Sequence, residues 1–324
     1  MLSWQLAMQQ AITDPEELLH ILELDESFLI AAKRAAQLFP LKVPRGFVDR
    51  MQKANPNDPL LRQVLPLQAE LSPVAGYETD PLHEAKANPL PGLLHKYPGR
   101  VLITLVASCG IHCRYCFRRH FPYAENNPGK EGWSRIFNYI AEDPLIQEVI
   151  LSGGDPLVAN DAMLADFTQQ LTLLPQIKRL RIHTRMPIVL PERITPQCIA
   201  WLESIKIKKI MVVHCNHAQE INPAVTKALT SLAQAGVILL NQSVLLKGVN
   251  DHPKTLVELS EALFVAGVLP YYLHVLDKVQ GAAHFDQPLE RARKIHQAVR
   301  DQLSGYLVPQ LVREQPEALA KIVF

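Results

Sequence analysis

No stretch of this 324-residue chain is apolar for long enough to cross a bilayer; pure apolar runs are short, such as Val101–Ile103 and Val237–Leu240. The start, MLSWQLAMQQ, has no cationic segment followed by an unbroken apolar core, so it does not read as a secretory leader. The compartment expected is the cytoplasm, where thiols stay reduced. Net charge is almost absent as well. Thirty-three basic against 32 acidic residues leave +1, which excludes a whole-surface field for nucleic acid. Hydrophobic residues at 48% and charged residues at 20% exclude a disordered chain. Cysteine is scarce, and its count of 5 is odd, so a full disulfide framework is not expected.

Three of those cysteines, Cys109, Cys113 and Cys116, crowd into one short segment. The texture of the chain changes just before them. Residues 1–95 read as a helical and irregular extension rich in proline, with helices over 15–24, 26–37 and 45–53. From residue 96 to 324, short β-branched runs alternate with amphipathic segments. Strands are expected over 101–106, 148–151, 179–183, 210–214, 238–244 and 271–275, with a last apolar run over 306–312. Helices are expected over 133–142, 161–174, 196–204, 223–235, 253–266 and 288–303. This alternation predicts an α/β fold of βαβ units with a parallel sheet, curled into a partial (β/α)6-type barrel with a short C-terminal strand or tail. Polar residues cluster past the strand ends, at Ser152–Asp155, His183–Arg185, His214–His217, Asn241–Ser243 and Asp277–Lys278. In a parallel barrel these ends share one face, the catalytic one.

The cysteines follow the pattern C-x3-C-x2-C directly after the first barrel strand. A loop of that spacing turns three thiolates toward one centre, which suits an iron–sulfur cluster or zinc. With three irons held, the fourth iron of a [4Fe–4S] cluster stays open to a small chelating ligand. The alternatives are a zinc site completed by His112 or His120, or three inert buried thiols. Cys198 and Cys215 lie outside the pattern.

The segment Cys109–Cys116, with Tyr115 before its last cysteine, resembles the radical S-adenosylmethionine superfamily. The segments 100–102, 109–119, 151–157, 181–185, 190–193, 241–251 and His284-Phe285 are similar to the lysine 2,3-aminomutase family, from about Leu93 to the C-terminus. The resemblance implies a radical enzyme that uses a [4Fe–4S] cluster, S-adenosylmethionine and pyridoxal 5′-phosphate to convert L-α-lysine to β-lysine. It implies contacts to S-adenosylmethionine from Ser152, Gly153, Gly154, Asp155, His214 and Gln242. Lys321 matches the family's cofactor lysine, in a segment Pro316–Lys321 that lacks the four glycines of the usual PGGGGK. Arg100, Arg185 and Lys96 are the cations expected at the cofactor phosphate. Arg118 matches the clamp for the substrate carboxylate. Asp277 and Glu314 match the two acids at the distal ammonium, with glutamate at 314 where the family has aspartate. The chain ends at Phe324, which suggests a short subgroup similar to elongation factor P (R)-β-lysylation proteins. The partners implied are lysine, a reducing donor such as flavodoxin or ferredoxin, and a pathway link to an elongation factor P ligase, with no nucleic acid and no membrane. A radical enzyme without pyridoxal phosphate, and a zinc-stabilised module contacting RNA through Arg114, Arg118 and Arg119, are the rival readings.

Overall fold

A computed structural model describes residues 3–316 and 318–324. Nine strands form one open sheet in sequence order: β1 (Leu93–Tyr97), β2 (Arg100–Val106), β3 (Glu148–Gly153), β4 (Arg179–Thr184), β5 (Lys208–Val213), β6 (Val237–Leu245), β7 (Leu269–Val275), β8 (Gln310–Arg313) and β9 (Ile322–Val323). Neighbours from β2 to β8 pair in parallel, while β1 and β9 pair antiparallel at the two edges. Helices cross between the parallel strands, as the alternation predicted. Their starts are chemically marked. Asn160, Thr195 and Asn222 each accept a hydrogen bond from a backbone N–H of the first turn. Pro196, Pro223 and Pro253 stand at first helical positions, where a missing N–H costs nothing. This accounts for part of the proline content.

Alternation along the strands separates two faces. Val101, Ile103, Leu105, Val149, Leu151, Leu180, Ile182, Met211 and Val213 pack with Trp133, Phe167 and Leu229 from the helices in one core. Arg100, Glu148, Ser152, Arg181, His183, Gln242, Tyr272 and His274 occupy the alternate positions and so line the other face. The sheet curls enough for His183 on β4 to feel the charge of Lys321, beyond β8. The arrangement is a partial barrel with a polar interior.

The first ninety residues share that core through Trp4, Ile12, Phe47, Leu60, Leu61 and Val64. Bonds between Glu78 and the backbone of Lys278 and Gln280, both at 2.9 Å, lay the segment across the strand ends. Some elements differ from expectation. The helix expected over 45–53 is a single turn, Arg45–Val48. Beyond it, the Arg50 side chain bonds the carbonyls of Ile188 and Glu220, and Gln52 N–H bonds Asp58 at 2.9 Å. Tertiary partners there replace the helical ladder. The strand expected from 306 starts only at Gln310, because Pro309 has no N–H to pair. β1 and β9 were not anticipated. Trp133 is 2% exposed and meets Phe167 edge-on at 5.2 Å. Trp133→Ala is expected to lower unfolding free energy by roughly 3–5 kcal/mol, read from the denaturant midpoint.

Candidate active site

Cys109, Cys113 and Cys116 are free thiols in a loop that belongs to no helix or strand. The N-terminal region holds this loop. His112 N–H bonds the Lys42 carbonyl and Arg114 N–H bonds the Gln63 carbonyl, each at 2.9 Å. Lys42 Nζ bonds the Cys109 carbonyl at 2.9 Å. The Arg114 guanidinium, fully buried, donates to Glu70 at 2.9 Å, and Arg119 donates to the same carboxylate at 2.8 Å. Burial, and then the neighbouring thiols, raise Cys109 well above the usual thiol range. Burial pushes Cys116 up to about 11. Such thiols become thiolates when iron binds and displaces the protons, so the donor set fits a cluster. Each candidate histidine has one ring nitrogen against a backbone carbonyl. His112 Nδ1 faces the Pro40 carbonyl at 2.9 Å, and His120 Nε2 faces the Gln280 carbonyl at 3.2 Å. Among the described residues no trio of His, Cys, Asp and Glu is gathered closely enough for one ion, whereas a four-iron cluster takes each thiolate at a separate iron. The arginines proposed for RNA are buried, which removes the basic stripe that reading needs.

The turn after β3 packs directly on this loop. A Cβ at Gly154 would lie 2.5 Å from the Ser108 carbonyl oxygen, and one at Gly153, where φ is +97°, 2.4 Å from Thr104. Both glycines are therefore required by close packing within the chain itself. Asp155 accepts from Thr184 Oγ1 at 2.6 Å and from Arg185 N–H at 2.7 Å. Its carboxylate ties β3 to β4 and is fully engaged there. Arg185 donates to Cys113 Sγ at 2.8 Å, to Gln63 at 2.6 Å and to Glu220 at 2.9 Å. The resemblance implies a place at a phosphate for this residue. The guanidinium serves the cysteine loop, while Arg100 starts β2 at the opposite end of the strands, its Cζ 4.4 Å from the Tyr97 ring. The cations near Tyr272 are Arg100, Arg181 and Lys321, whose Nζ lies 5.9 Å from that ring.

A second cluster of charges gathers the residues expected at cofactor and substrate. Arg118 donates to both Glu84 oxygens, at 2.7 and 2.8 Å, and to Ser152 Oγ at 3.2 Å. Lys96 joins Glu84, at 3.0 Å, to Glu314, at 3.1 Å. Lys321 completes the chain on Glu314 at 2.6 Å. Lys321 is placed without glycines because β9 folds back on β8, pairing Ile322 with Arg313 and Val323 with Val312. Within its segment, Glu317 lies outside the described residues. The Lys321 and Lys96 ammonium groups hold the Glu314 carboxyl well below its ordinary range. Asp277 is different. Burial, with Glu314 adding to it, pushes its carboxyl up to about 7.

Between the two clusters lie three imidazoles. His183 and His214 meet edge-on at 5.8 Å, and His274 stands at 5.7 Å from Tyr272. Burial, reinforced by nearby cations, keeps all three neutral; His214 falls to about 4 and His274 to about 3. Each has a buried Nε2 without a hydrogen-bond partner, and so does the Arg181 Nε. Unsatisfied polar atoms in one interior are costly unless a polar ligand meets them. They fit the adenosyl and pyridoxal groups that the motifs imply. Gln242, on β6, lies beside Tyr272 in register. Sequence reasoning missed Glu70, Glu84, Glu220 and His274. His274 could have been found from its position two residues after Tyr272 on the same strand face. The carboxylates had one indirect signal, since three arginines packed among cysteines need acids from elsewhere.

The family described as a 4Fe-4S single cluster domain matches residues 97–182. Three relatives are each named L-lysine 2,3-aminomutase. That of Escherichia coli K12 is 51% identical over 96% of this chain and 91% of its own. That of Haemophilus influenzae is 47% identical over 96% of this chain and 92% of its own. That of Clostridium subterminale is 35% identical over 97% of this chain and 75% of its own.

Because Gly154 abuts the cysteine loop, Gly154→Ala is expected to displace Ser108 and Cys109 and to lose most bound iron after anaerobic reconstitution. Gly46→Ala, where nothing lies within 4 Å of the added carbon, is expected to retain it. Equal iron content in both variants would contradict the packing argument.

Proposed function

The chain belongs to the L-lysine 2,3-aminomutase family of isomerases, and from that premise we propose that it converts free L-α-lysine to β-lysine with three cofactors: a [4Fe–4S] cluster, S-adenosylmethionine and pyridoxal phosphate. The observation that carries this reading is the meeting of Arg118, Asp277, Glu314 and Lys321 in one electrostatic cluster at the mouth of the barrel. When bound, the cluster and S-adenosylmethionine supply a carbon-centred radical, and pyridoxal phosphate supplies a conjugated system over which an amino group migrates.

The chain's own residues bind and orient. Cys109, Cys113 and Cys116 would hold the iron of the cluster, and Arg185, which donates to Cys113, would steady the charge on that sulfur. Gly153, Gly154, His214 and Gln242 border the space for the adenosyl group, and Ser152 and Asp155 set its wall. Lys321 holds the pyridoxal group. Arg100 and Arg181, with Lys96 nearer Glu314, supply positive charge for its phosphate. Arg118 faces the α-carboxylate of lysine, and Asp277 and Glu314 face its distal ammonium. An apolar side chain would leave Asp277 buried without a cation, and an acidic one would add a further negative charge beside Asp277 and Glu314, which favours lysine as substrate. The N-terminal segment covers the mouth and keeps water from the reacting atoms. The resemblance to a short elongation factor P subgroup supports use of the β-lysine in modifying that protein, through a separate ligase.

The test is product analysis of the anaerobic, reduced holoenzyme with lysine, carried out across pH. β-Lysine is expected. The lysine ammonium stays charged throughout, with a reference pKa of about 10.4. Asp277 becomes a carboxylate only above about 7 in the free enzyme. Hence kcat/KM for lysine should rise with pH through that value and level off above it, and Asp277→Asn should flatten the rise. Methionine release without any β-lysine would overturn the substrate reading while leaving a radical enzyme.

A further inference from the structure

Glu84 has no place in the cysteine motif, the turn after β3 or the lysine segment, yet it is 3% exposed at the centre of the charge cluster. Its position is set locally. Asp80 accepts hydrogen bonds from the N–H of Glu84 at 2.9 Å and of Ala85 at 3.2 Å, which starts a short 3-10 turn over Glu84–Ala87. His83, immediately before it, takes a left-handed conformation with φ +50°, uncommon for a residue other than glycine. The segment is held in one unusual shape, and that shape delivers one carboxylate.

A count of donors shows what this carboxylate does to Arg118. A guanidinium has five N–H groups in a fixed plane. Glu84 takes Nε–H and one N–H of NH2, and Ser152 takes one N–H of NH1. One N–H is left on each terminal nitrogen. Two such donors side by side match the two oxygens of a carboxylate. The Phe117 ring, 4.8 Å from the Arg118 Cζ, restricts the plane further. Glu84 also bonds Lys96 at 3.0 Å, which keeps that second cation from repelling Arg118.

We propose that Glu84 is the positioning residue of the carboxylate clamp: by engaging the inner edge of Arg118 it turns the two remaining donors toward the α-carboxylate of the amino-acid substrate. The inference rests on the lysine reading above and adds to it a specificity element contributed by the N-terminal segment. It makes that segment part of the site and not only its cover. A neutral amide at position 84 keeps the volume but presents an N–H where the guanidinium needs an acceptor, and leaves Arg118 and Lys96 as adjacent buried cations.

The experiment compares two ligands that share the distal ammonium and differ in the carboxylate. L-Lysine and 1,5-diaminopentane are bound to anaerobic holoenzyme without reductant, so no turnover occurs, and affinities are read by equilibrium dialysis. Glu84→Gln should weaken lysine roughly tenfold or more and leave 1,5-diaminopentane within about twofold of wild type; in separate assays of the reduced holoenzyme, KM for lysine should rise more than kcat falls. Glu84→Asp, which keeps the charge, should restore part of the lysine affinity. Equal weakening of both ligands, or of neither, would overturn the positioning role while lysine binding by wild type stood. A wild type that binds no lysine would overturn the substrate reading and this inference with it.

Discussion

Two buried carboxylates, Glu70 and Glu84, determine where the cysteine loop lies. The loop has no ladder of its own, and it carries Arg114 between its last two thiols and Arg118 and Arg119 just after them. Each arginine must be neutralised where water is absent, and each carboxylate comes from the N-terminal region. Magnitudes favour this over the surface pairs. Removing one partner of a buried ion pair costs about 3–5 kcal/mol. An exposed pair such as Lys33–Glu16 contributes about 0–1 kcal/mol. The loop is therefore fixed from outside, and the barrel strand before it supplies only its direction.

From that constraint the rest of the site follows in two halves. At one end lie the three cysteines, with burial raising Cys109 and Cys116 and with Arg185, held by Glu220, donating to Cys113. At the other, acids and bases alternate from Arg118 to Lys321, so each charge has a partner before any ligand arrives. Neutral imidazoles separate the halves. Their neutrality has a reason: a protonated His183, His214 or His274 would add to an interior already holding Arg118, Arg181 and Lys321. They offer hydrogen bonds without charge, which suits ligand groups that are polar and uncharged.

The sequence was legible where the physics is local. The strand and helix periods, the proline-marked helix starts and the three-cysteine spacing all depend on neighbours within a few residues, and the parallel sheet follows them strand by strand. Past the strand ends it was legible in type but not in role. Arg185 reads as a phosphate ligand, and nothing near it in the chain announces Glu220, 35 residues later, as its partner. Glycines at 153 and 154 read as room for a ligand, but nothing local announces that Gly153 also packs on the Thr104 side chain and Gly154 on the backbone of Val106 and Ser108. The carboxylates were not legible at all, because Glu70 lies 44 residues before Arg114 and Glu84 lies 34 before Arg118. No periodicity connects such pairs. β9, only two residues long, was hidden for the same reason: pairing with β8, not propensity, creates it.

If buried carboxylates from the N-terminal region place the thiols, the most direct measurement is iron content and the low-temperature electron paramagnetic resonance of reduced Glu70→Gln after anaerobic reconstitution. Loss of most of the iron and of the cluster signal, with the helical circular dichroism of wild type retained, is the predicted result. A variant that loads a full complement of iron and gives the wild-type signal would show that the loop orders itself without Glu70, and would contradict the account.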